Sequence, residues 1–497
     1  DKLPDKKDDF YFRFHGLFHV GPVQDSFMLR LRVPCSELTS IQMRGLAGIA
    51  REWGGGYAHV TTRANLQIRE IAAKNILHVL NKLQELGLTS RGTGADNLRN
   101  ITSSAAAGID PNELIDTRPM AKALHYYILN NRDLYGLPRK FNISFDGGGA
   151  IATVSETNDI GFVAVRVEEG REVAPGIWFR VQLAGITGHK QFAIDTGYVI
   201  HPSDAVAVAA AIVRVFNENG DRTNRKKARL KYLIDKWGTD KFMEEVEQKL
   251  AFPLLRLPLD QCLPAPPPIP HGHIGVFRQK QAQRNYIGVV TPVGTMTARQ
   301  MNRLADLAES YGSSTVRLTV WQNVLLPDIP DGFVETVKGN LVRMGFHHQS
   351  TSLSGGLVAC TGNAGCKYSA TSTKAQAVEL GRYLEERVPL DHPINIHLTG
   401  CPHSCAQHYI GDIGMVGTKV TRNGEQVEGY HIVLGGRCVG GQTIAREVFH
   451  GVPFSEIPPL LEEVLRHYLS RRASPDETFA QFTARHSMEE LRELFAA

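Results

Sequence analysis

The chain lacks any apolar run near the roughly 18 residues that a bilayer span needs. Its longest candidate is the Ala/Val stretch from Ala205 to Val213, so a membrane-spanning protein is excluded and a soluble one is expected. Charge of one sign is also missing. Lys and Arg number 55 against 51 Asp and Glu, a formal net charge of +4, too little for a general nucleic-acid binder. No apolar signal core follows the charged stretch from Asp1 to Asp9, which leads us to expect that any targeting segment has been removed or never existed. Cysteine is not enriched, seven in 497 residues being an ordinary count, but four of the seven crowd between Cys360 and Cys405. That is not a secreted disulfide pattern; it points to a reducing compartment and a metal.

What is present is ordinary in bulk, with 42% hydrophobic, 21% charged and 8% aromatic residues. Disorder is excluded, and the length suggests two or three domains. The informative feature is self-similarity. Pro34, Thr39, Gln42, Met43, Leu46, Ala47, Ala50, Gly54, Thr61, Asn65 and Gly87 recur at one constant offset as Pro292, Thr297, Gln300, Met301, Leu304, Ala305, Ala308, Gly312, Thr319, Asn323 and Gly345. The register slips slightly further on, where Asn142 and Asp159-Ile160-Gly161 recur as Asn395 and Asp412-Ile413-Gly414. Leu183 and Gly185 recur as Leu434 and Gly436. The whole chain reads as a duplication joined through the Pro-rich stretch Pro258 to Pro270.

Local patterns give each copy the same opening. Phe27, Leu29, Leu31 and Val33 alternate with Met28, Arg30 and Arg32, the mark of a half-buried strand. Thr39 with Gln42, and Thr297 with Gln300, have the spacing of a capping box, while Gly54 and Gly312 are expected to end their helices in a left-handed residue. A strand over Tyr57 to Arg63 and a helix carrying Ile76, Leu80, Leu83 and Leu86 complete a β-α-β-α unit. An α+β chain with pseudo-twofold symmetry is expected.

Function is read from what the copies do not share. Arg30 is matched by Gly288, Arg63 by Trp321, Arg99 by Leu357 and Lys140 by Pro393, so the first half holds the cations. Cys360, Cys366, Cys401 and Cys405 face Thr102, Gly108, Gly148 and Ala152, so the second half holds the thiols. With Gly400 before it and Pro402 at a first helical position, the pair Cys401 and Cys405 is expected at i, i+4 on one helical face, where the helix N-terminus favours thiolate. Four such thiols suit a [4Fe–4S] cluster, a tetrahedral zinc or two disulfides. Cys35, Cys262 and Cys438 have no paired spacing and read as small buried hydrophobes. Arg222, Arg225, Lys226, Lys227, Arg229 and Lys231 form a run that, with Arg63, Arg69, Arg139 and Lys140, implies a polyanion. A solvated helix face is the plain alternative for the run, and a nucleic-acid groove is disfavoured because no aromatics are interleaved with it. Arg30 and Arg32 on one strand face would be costly without an anion.

At these residues the sequence resembles the sirohaem-dependent nitrite and sulfite reductase family. Ala359-Cys-Thr-Gly-Asn-Ala-Gly-Cys366 and Thr399-Gly-Cys-Pro-His-Ser-Cys405 look like the two halves of its cluster motif. The likeness extends over Val60 to Arg69, Asp96 to Asn100, Asp116 to Pro119, Leu137 to Asn142 and Asn224 to Arg229, nearly the whole chain. It implies a sirohaem bearing eight carboxylates beside a [4Fe–4S] cluster. Cys405 would be shared between cluster and sirohaem iron, with Cys360, Cys366 and Cys401 holding the other irons. Arg30, Arg99 and Lys140, with Asn142, would line the substrate face, while Arg63, Gln67, Asn100, Arg139, Arg225, Lys227 and Arg229 would bind the macrocycle. Asn142, where the sulfite branch typically has lysine, and the Asp116-Thr-Arg-Pro119 stretch resemble the ferredoxin-dependent nitrite branch. Lys367 and Tyr368 after Cys366 depart from the small residues usual in the plant-like members.

The resemblance implies ferredoxin-like half-domains paired about a pseudo-twofold axis, plus two larger α+β domains around a central cofactor. The expected division is 10–89 (first half-domain), 90–255 (sirohaem and cation domain), 256–272 (linker), 273–350 (second half-domain) and 351–497 (cluster domain). It also implies six-electron reduction of nitrite to ammonium in a cytoplasmic, or plastid-stromal, monomer. No Gly-rich flavin or nicotinamide fingerprint is present, so electrons would come from reduced ferredoxin or flavodoxin. Assimilatory sulfite reduction is the nearest alternative. A cobalamin-pathway monooxygenase of the same superfamily and a non-catalytic iron–sulfur carrier or sensor are the more distant ones.

Overall fold

In the computed structural model, which describes residues 4–21, 23–349 and 353–495, the two copies start their first long helices with the same bonds. Thr39 Oγ1 accepts the Gln42 N–H at 3.1 Å, and Gln42 Oε1 accepts the Thr39 N–H at 3.0 Å. Thr297 and Gln300 repeat the pair at 3.2 and 3.0 Å. These boxes begin Ser40–Trp53 and Ala298–Tyr311, each cap contributing about 1 kcal/mol. Gln42 Nε2 then donates to Leu86 O and Gln300 Nε2 to Met344 O. Each long helix is thereby tied to the end of the next one, Ile76–Glu85 or Val334–Arg343.

The glycines at the helix ends are not left-handed, contrary to expectation. Gly54 has φ −123° and Gly312 φ −117°. Their role is close approach: a Cβ at Gly54 would stand 2.8 Å from Arg69 O, and one at Gly312 2.6 Å from Pro327 O. No side chain fits between helix end and strand.

Each half-domain sheet is completed by the other half. Leu17–His19, Phe27–Arg30, Leu66–Ile71 and Tyr57–Val60 form a sheet whose outer strand is Thr295–Thr297 from the second copy, with Thr295 opposite His59. Reciprocally, Gly275–Arg278, Arg284–Val289, Val324–Pro330 and Thr315–Leu318 take Glu37–Thr39 as their outer strand, with Thr315 opposite Thr39. The helices Ser40–Trp53 and Ala298–Tyr311 pack on each other, and one continuous apolar core runs through both half-domains. This exchange pairs two strand edges that would otherwise be bare.

The duplication continues into two larger sheets. Ile143–Asp146 runs parallel to Ile160–Val167, which pairs antiparallel with Gly176–Leu183. Ile396–Thr399, Ile413–Arg422 and Glu425–Leu434 repeat that order and sense. Each sheet has its own core under helices, Ala205–Asn219 in the first and Thr373–Glu385 with Ile457–Arg471 in the second. The Pro-rich stretch is laid along the first of these sheets, with Leu263 opposite Arg166 and the Ile269 N–H bonded to Ala150 O. The expected boundary at 350/351 lies outside the described residues. Among the described residues no helix is long and apolar enough to cross a membrane.

Two local expectations fail in instructive ways. The strand expected through Val33 ends at Arg30, and Arg32 does not share an anion-facing surface with Arg30. Arg32 is buried and donates to Arg91 O at 2.7 Å, Gly92 O at 3.0 Å and Leu98 O at 2.7 Å, so carbonyl dipoles solvate its charge in place of water. The helix expected over Cys401 and Cys405 is absent: Ser404 (φ +55°) and Gln407 (φ +56°) are left-handed. The loop forms two successive turns, and a right-handed helix cannot pass through either residue.

Candidate active site

The four thiols come from two neighbouring strand ends. Cys360 follows Leu357–Ala359 and Cys401 follows Ile396–Thr399, strands that lie parallel and in register. Cys366 and Cys405 are carried by the loops beyond. Gly400 is required there, because a Cβ would fall against the Ser369 side chain, and its N–H donates to Cys360 Sγ at 3.2 Å. All four cysteines are unbridged, which removes the disulfide alternative for this state. No three of the sulfurs lie within 4.8 Å of one another. Four thiols carried by two neighbouring loops are the donor set that a [4Fe–4S] cluster takes.

The first half reaches this loop directly. Thr62 Oγ1 donates to Cys405 O at 3.0 Å. Arg69 donates to Thr361 Oγ1 at 2.6 Å and to Gly365 O at 3.4 Å, and a Cβ on Gly365 would collide with its guanidinium. Lys374, in the first turn of Thr373–Glu385, donates to Val293 O. Burial, with Arg69 nearby, brings its amine down to about 7 against the opposing pull of Cys360. Arg69 and Lys374 therefore supply positive charge beside Cys360 and Cys366, next to the first turn of Thr373–Glu385, whose Thr373 Oγ1 lies 3.6 Å from Cys360 Sγ. Arg69 was legible only as one cation among several; its counterpart Pro327 marks it as divergent in the same way as Arg63 and Trp321. Nothing in the sequence marked Lys374. Tyr368, one of the departures after Cys366, lies edge-on to His403 with ring centres 5.3 Å apart.

Cys405 is open to solvent yet enclosed by protein, as the floor of a recess would be. Burial pushes its thiol up, while Lys140 and Arg30 pull it down and Cys360 and Cys366 push it further up. Arg30 leans over the Phe18 ring at 4.4 Å and donates to Thr93 O at 3.3 Å. Arg99 donates to the same carbonyl. Burial lowers Arg99 well below the ordinary arginine value, and Arg30, Arg32 and Arg139 add repulsion. Lys140 is brought to about 8 by burial, then by Arg229, Arg99 and Arg139, with Cys405 opposing. Among the described residues none of Arg30, Arg99 and Lys140 forms an ion pair. Three mutually repelling cations around one recess call for an anion to be supplied.

The remaining residues singled out by sequence are engaged differently. Arg63 donates to Asn100 O, Ile143 O and Asn158 Oδ1. Asn100 is buried, its amide bridging Val33 and Arg63 backbone. Gln67 Oε1 accepts from Arg69 at 3.2 Å. Arg139 and Arg225 share Asp96, at 3.1 and 2.7 Å, and Arg229 pairs with buried Asp159 at 2.7 Å. Asp96 and Asp159 were legible only as motif and repeat residues; their pairing with Arg139, Arg225 and Arg229 was not, because a carboxylate partner far along the chain leaves no local pattern. Lys227 is exposed. The Asn142 N–H bonds Asp159 Oδ2 at 2.8 Å, while its side-chain amide makes no hydrogen bond to the described protein. The surplus of guanidinium over carboxylate fits a heavily carboxylated macrocycle, and the thiols fit its cluster.

A recess of this build, between duplicated lobes that divide thiols from cations, defines a class of redox enzyme, and comparison with known families agrees. The nitrite and sulphite reductase 4Fe-4S domain matches residues 94–254 and 355–497, and the nitrite/sulfite reductase ferredoxin-like half domain matches 19–86 and 277–343. The chain belongs to the nitrite and sulphite reductase family. Among individual proteins it is 36% identical to the ferredoxin–nitrite reductase of Synechococcus elongatus, over 90% of this chain and 88% of that one. It is 37% identical to the ferredoxin–nitrite reductase of Leptolyngbya laminosa, over 93% and 91%. The solved structure of the Mycobacterium tuberculosis NirA protein superposes with a TM-score of 0.90 at 29% identity, covering 98% of this chain and 92% of that one.

Proposed function

We propose that this chain reduces nitrite to ammonium, consuming six electrons and eight protons and releasing two waters, with reduced ferredoxin as donor. The observation that carries the reading is the recess itself, where Arg30, Arg99 and Lys140 stand unpaired around Cys405. In this reading Cys360, Cys366, Cys401 and Cys405 would hold the [4Fe–4S] cluster, and Cys405 would also help to hold the sirohaem. Lys227, Gln67 and the cation surplus of Arg139, Arg225 and Arg229 would hold the macrocycle carboxylates. Arg63 and Asn100 shape that wall through the backbone groups they hold. When bound, the group supplies single electrons and an iron that accepts the anion.

This chain's own residues do the rest. Arg30 and Arg99 attract nitrite and stabilise negative charge as it develops on oxygen. Lys140 differs because an amine near 8 is protonated at neutral pH yet gives up its proton readily, and it is open enough to regain one from water. Asn142 offers a neutral amide where a further cation would favour a dianion, which supports nitrite over sulfite. The reading carries with it the five-segment division 10–89, 90–255, 256–272, 273–350 and 351–497, a monomer, and a cytoplasmic or plastid-stromal setting. Ammonium release from nitrite with a reduced viologen dye tests it, alongside visible absorption. A coloured protein that releases ammonium and has far lower kcat/KM for sulfite is expected. A colourless protein, or a coloured one inert towards nitrite, overturns it.

A further inference from the structure

Outside the recess, one cluster of metal-ligating side chains stands on the outermost strand of the second large sheet. Glu425–Leu434 pairs antiparallel with Arg446–Pro453, but the register shifts twice: Tyr430 is opposite Val452, Ile432 opposite Phe449, and Val433 opposite Glu447. Positions i and i+3 of a regular strand point to opposite faces. The two bulges undo that alternation and turn Glu447 and His450 to the same side, where His431 meets them from the neighbouring strand. Glu447 Oε1 is 2.7 Å from His450 Nδ1 and 3.9 Å from His431 Nδ1, and the imidazole centres are 4.0 Å apart. One ligand atom from each of the three residues falls within 4.8 Å of the others.

We propose that His431, Glu447 and His450 form a binding site for a zinc-class divalent cation. Two imidazoles with one carboxylate make a borderline donor set that favours zinc over the all-oxygen coordination of magnesium or calcium. Three protein ligands leave a position for water, which the exposure of Glu447 and His450 allows. The Gly451 N–H donates to His431 Nδ1 at 3.2 Å; an ion bound through Nδ1 displaces that hydrogen bond and leaves the Gly451 N–H to water. The bulged strand is braced from behind, Arg492 Nε donating to Val448 O at 3.2 Å, so the ligands start near their final places. An ion there pins the outer strand to the sheet.

The cofactor-loaded protein, dialysed against a weak chelator, is titrated with zinc chloride by calorimetry in parallel with His450→Ala and Glu447→Gln. Both variants change exposed side chains, and unaltered circular dichroism and nitrite turnover show that they are intact. One zinc is expected per parent chain, with each variant weakened by roughly tenfold or more, since even outer-shell changes at metal sites cost that much. Zinc X-ray absorption should report nitrogen and oxygen neighbours without sulfur. Equal zinc uptake by parent and variants, or sulfur ligation, overturns the proposal.

Discussion

Two strand ends related by the duplication share a scaffold and differ in everything around it. In the first half the Asn142 N–H bonds Asp159 Oδ2 at 2.8 Å; in the second the Asn395 N–H bonds Asp412 Oδ2 at 2.8 Å. Asp159 O accepts from Ala184 and Asp412 O from Gly435. There the likeness ends. Asp159 faces Arg229, whereas Asp412 has no ion-pair partner among the described residues, and burial pushes its carboxyl up to about 7. Arg63 spends its guanidinium on carbonyls; Trp321 in its place stacks on His273 at 5.5 Å and donates to Ala152 O at 3.1 Å. Pro393 replaces Lys140. One side is an open cationic recess; the other is a cavity of about 70 Å³ lined by Trp321, His271, His273, Asn395, Asp412 and Arg437. The same backbone serves both, so the chemistry is set by what faces the strand ends.

The largest effect that separates the two sides comes from neutralising each aspartate. Asp159→Asn leaves Arg229 buried without its counter-ion and is expected to cost about 3 kcal/mol or more of unfolding free energy. Asp412→Asn removes no ion pair and should not destabilise at all. Denaturant unfolding of the two variants side by side checks this, and equal losses would mean that the sides are not electrically different. Next comes Lys140→Ala, set against the proline that already stands opposite. Turnover should fall on the order of 100-fold, the usual cost of losing one positioned charge, while sirohaem absorption persists. Lys140→Arg should recover nitrite affinity but not turnover, because guanidinium is too weak an acid to donate. Full turnover in either variant removes Lys140 as the proton source.

Asp412 also predicts a pH dependence with a definite sign. Its folded value near 7 lies above the ordinary 3.8, so between those limits the folded chain holds a proton that the unfolded chain has lost. Stability contributed by this group is full below about pH 4, falls as pH rises, and levels off above about 7. Asp412→Asn should match the parent at pH 4 and exceed it at pH 8 by on the order of 2 kcal/mol, about half the full value because the side chain is partly exposed. Unfolding at the two pH values measures the difference.

Much of this architecture is written in local sequence. The repeat, the capping boxes and the crowding of Cys360, Cys366, Cys401 and Cys405 depend on residue identity at short spacing, and they read directly. The sequence singles out Arg30, Arg99 and Lys140 through their mismatch with the other copy, and the fold gathers them around Cys405. What escaped depends on distance or on single backbone angles. The exchanged strands Glu37–Thr39 and Thr295–Thr297 are three residues each, too short for any periodicity. The left-handed Ser404 and Gln407 broke a helix that Gly400 and Pro402 advertised. Arg32 looked like its neighbour Arg30 until carbonyls from 60 residues away claimed it.

The smallest prediction tests whether the halves remain equal where neither binds a ligand. Thr39→Ala and Thr297→Ala each delete one side of a capping box whose partner bonds differ by no more than 0.1 Å between copies. Each should cost about 1 kcal/mol. Because both helices pack on one another in a shared core, a loss at either end is felt by the whole half-domain pair. The single variants should therefore shift the same cooperative transition by similar amounts, and the double variant by their sum to within a few tenths of a kcal/mol if the two caps are independent. Two separate transitions, or one cap much costlier than the other, would show that the half-domains unfold apart despite their exchanged strands.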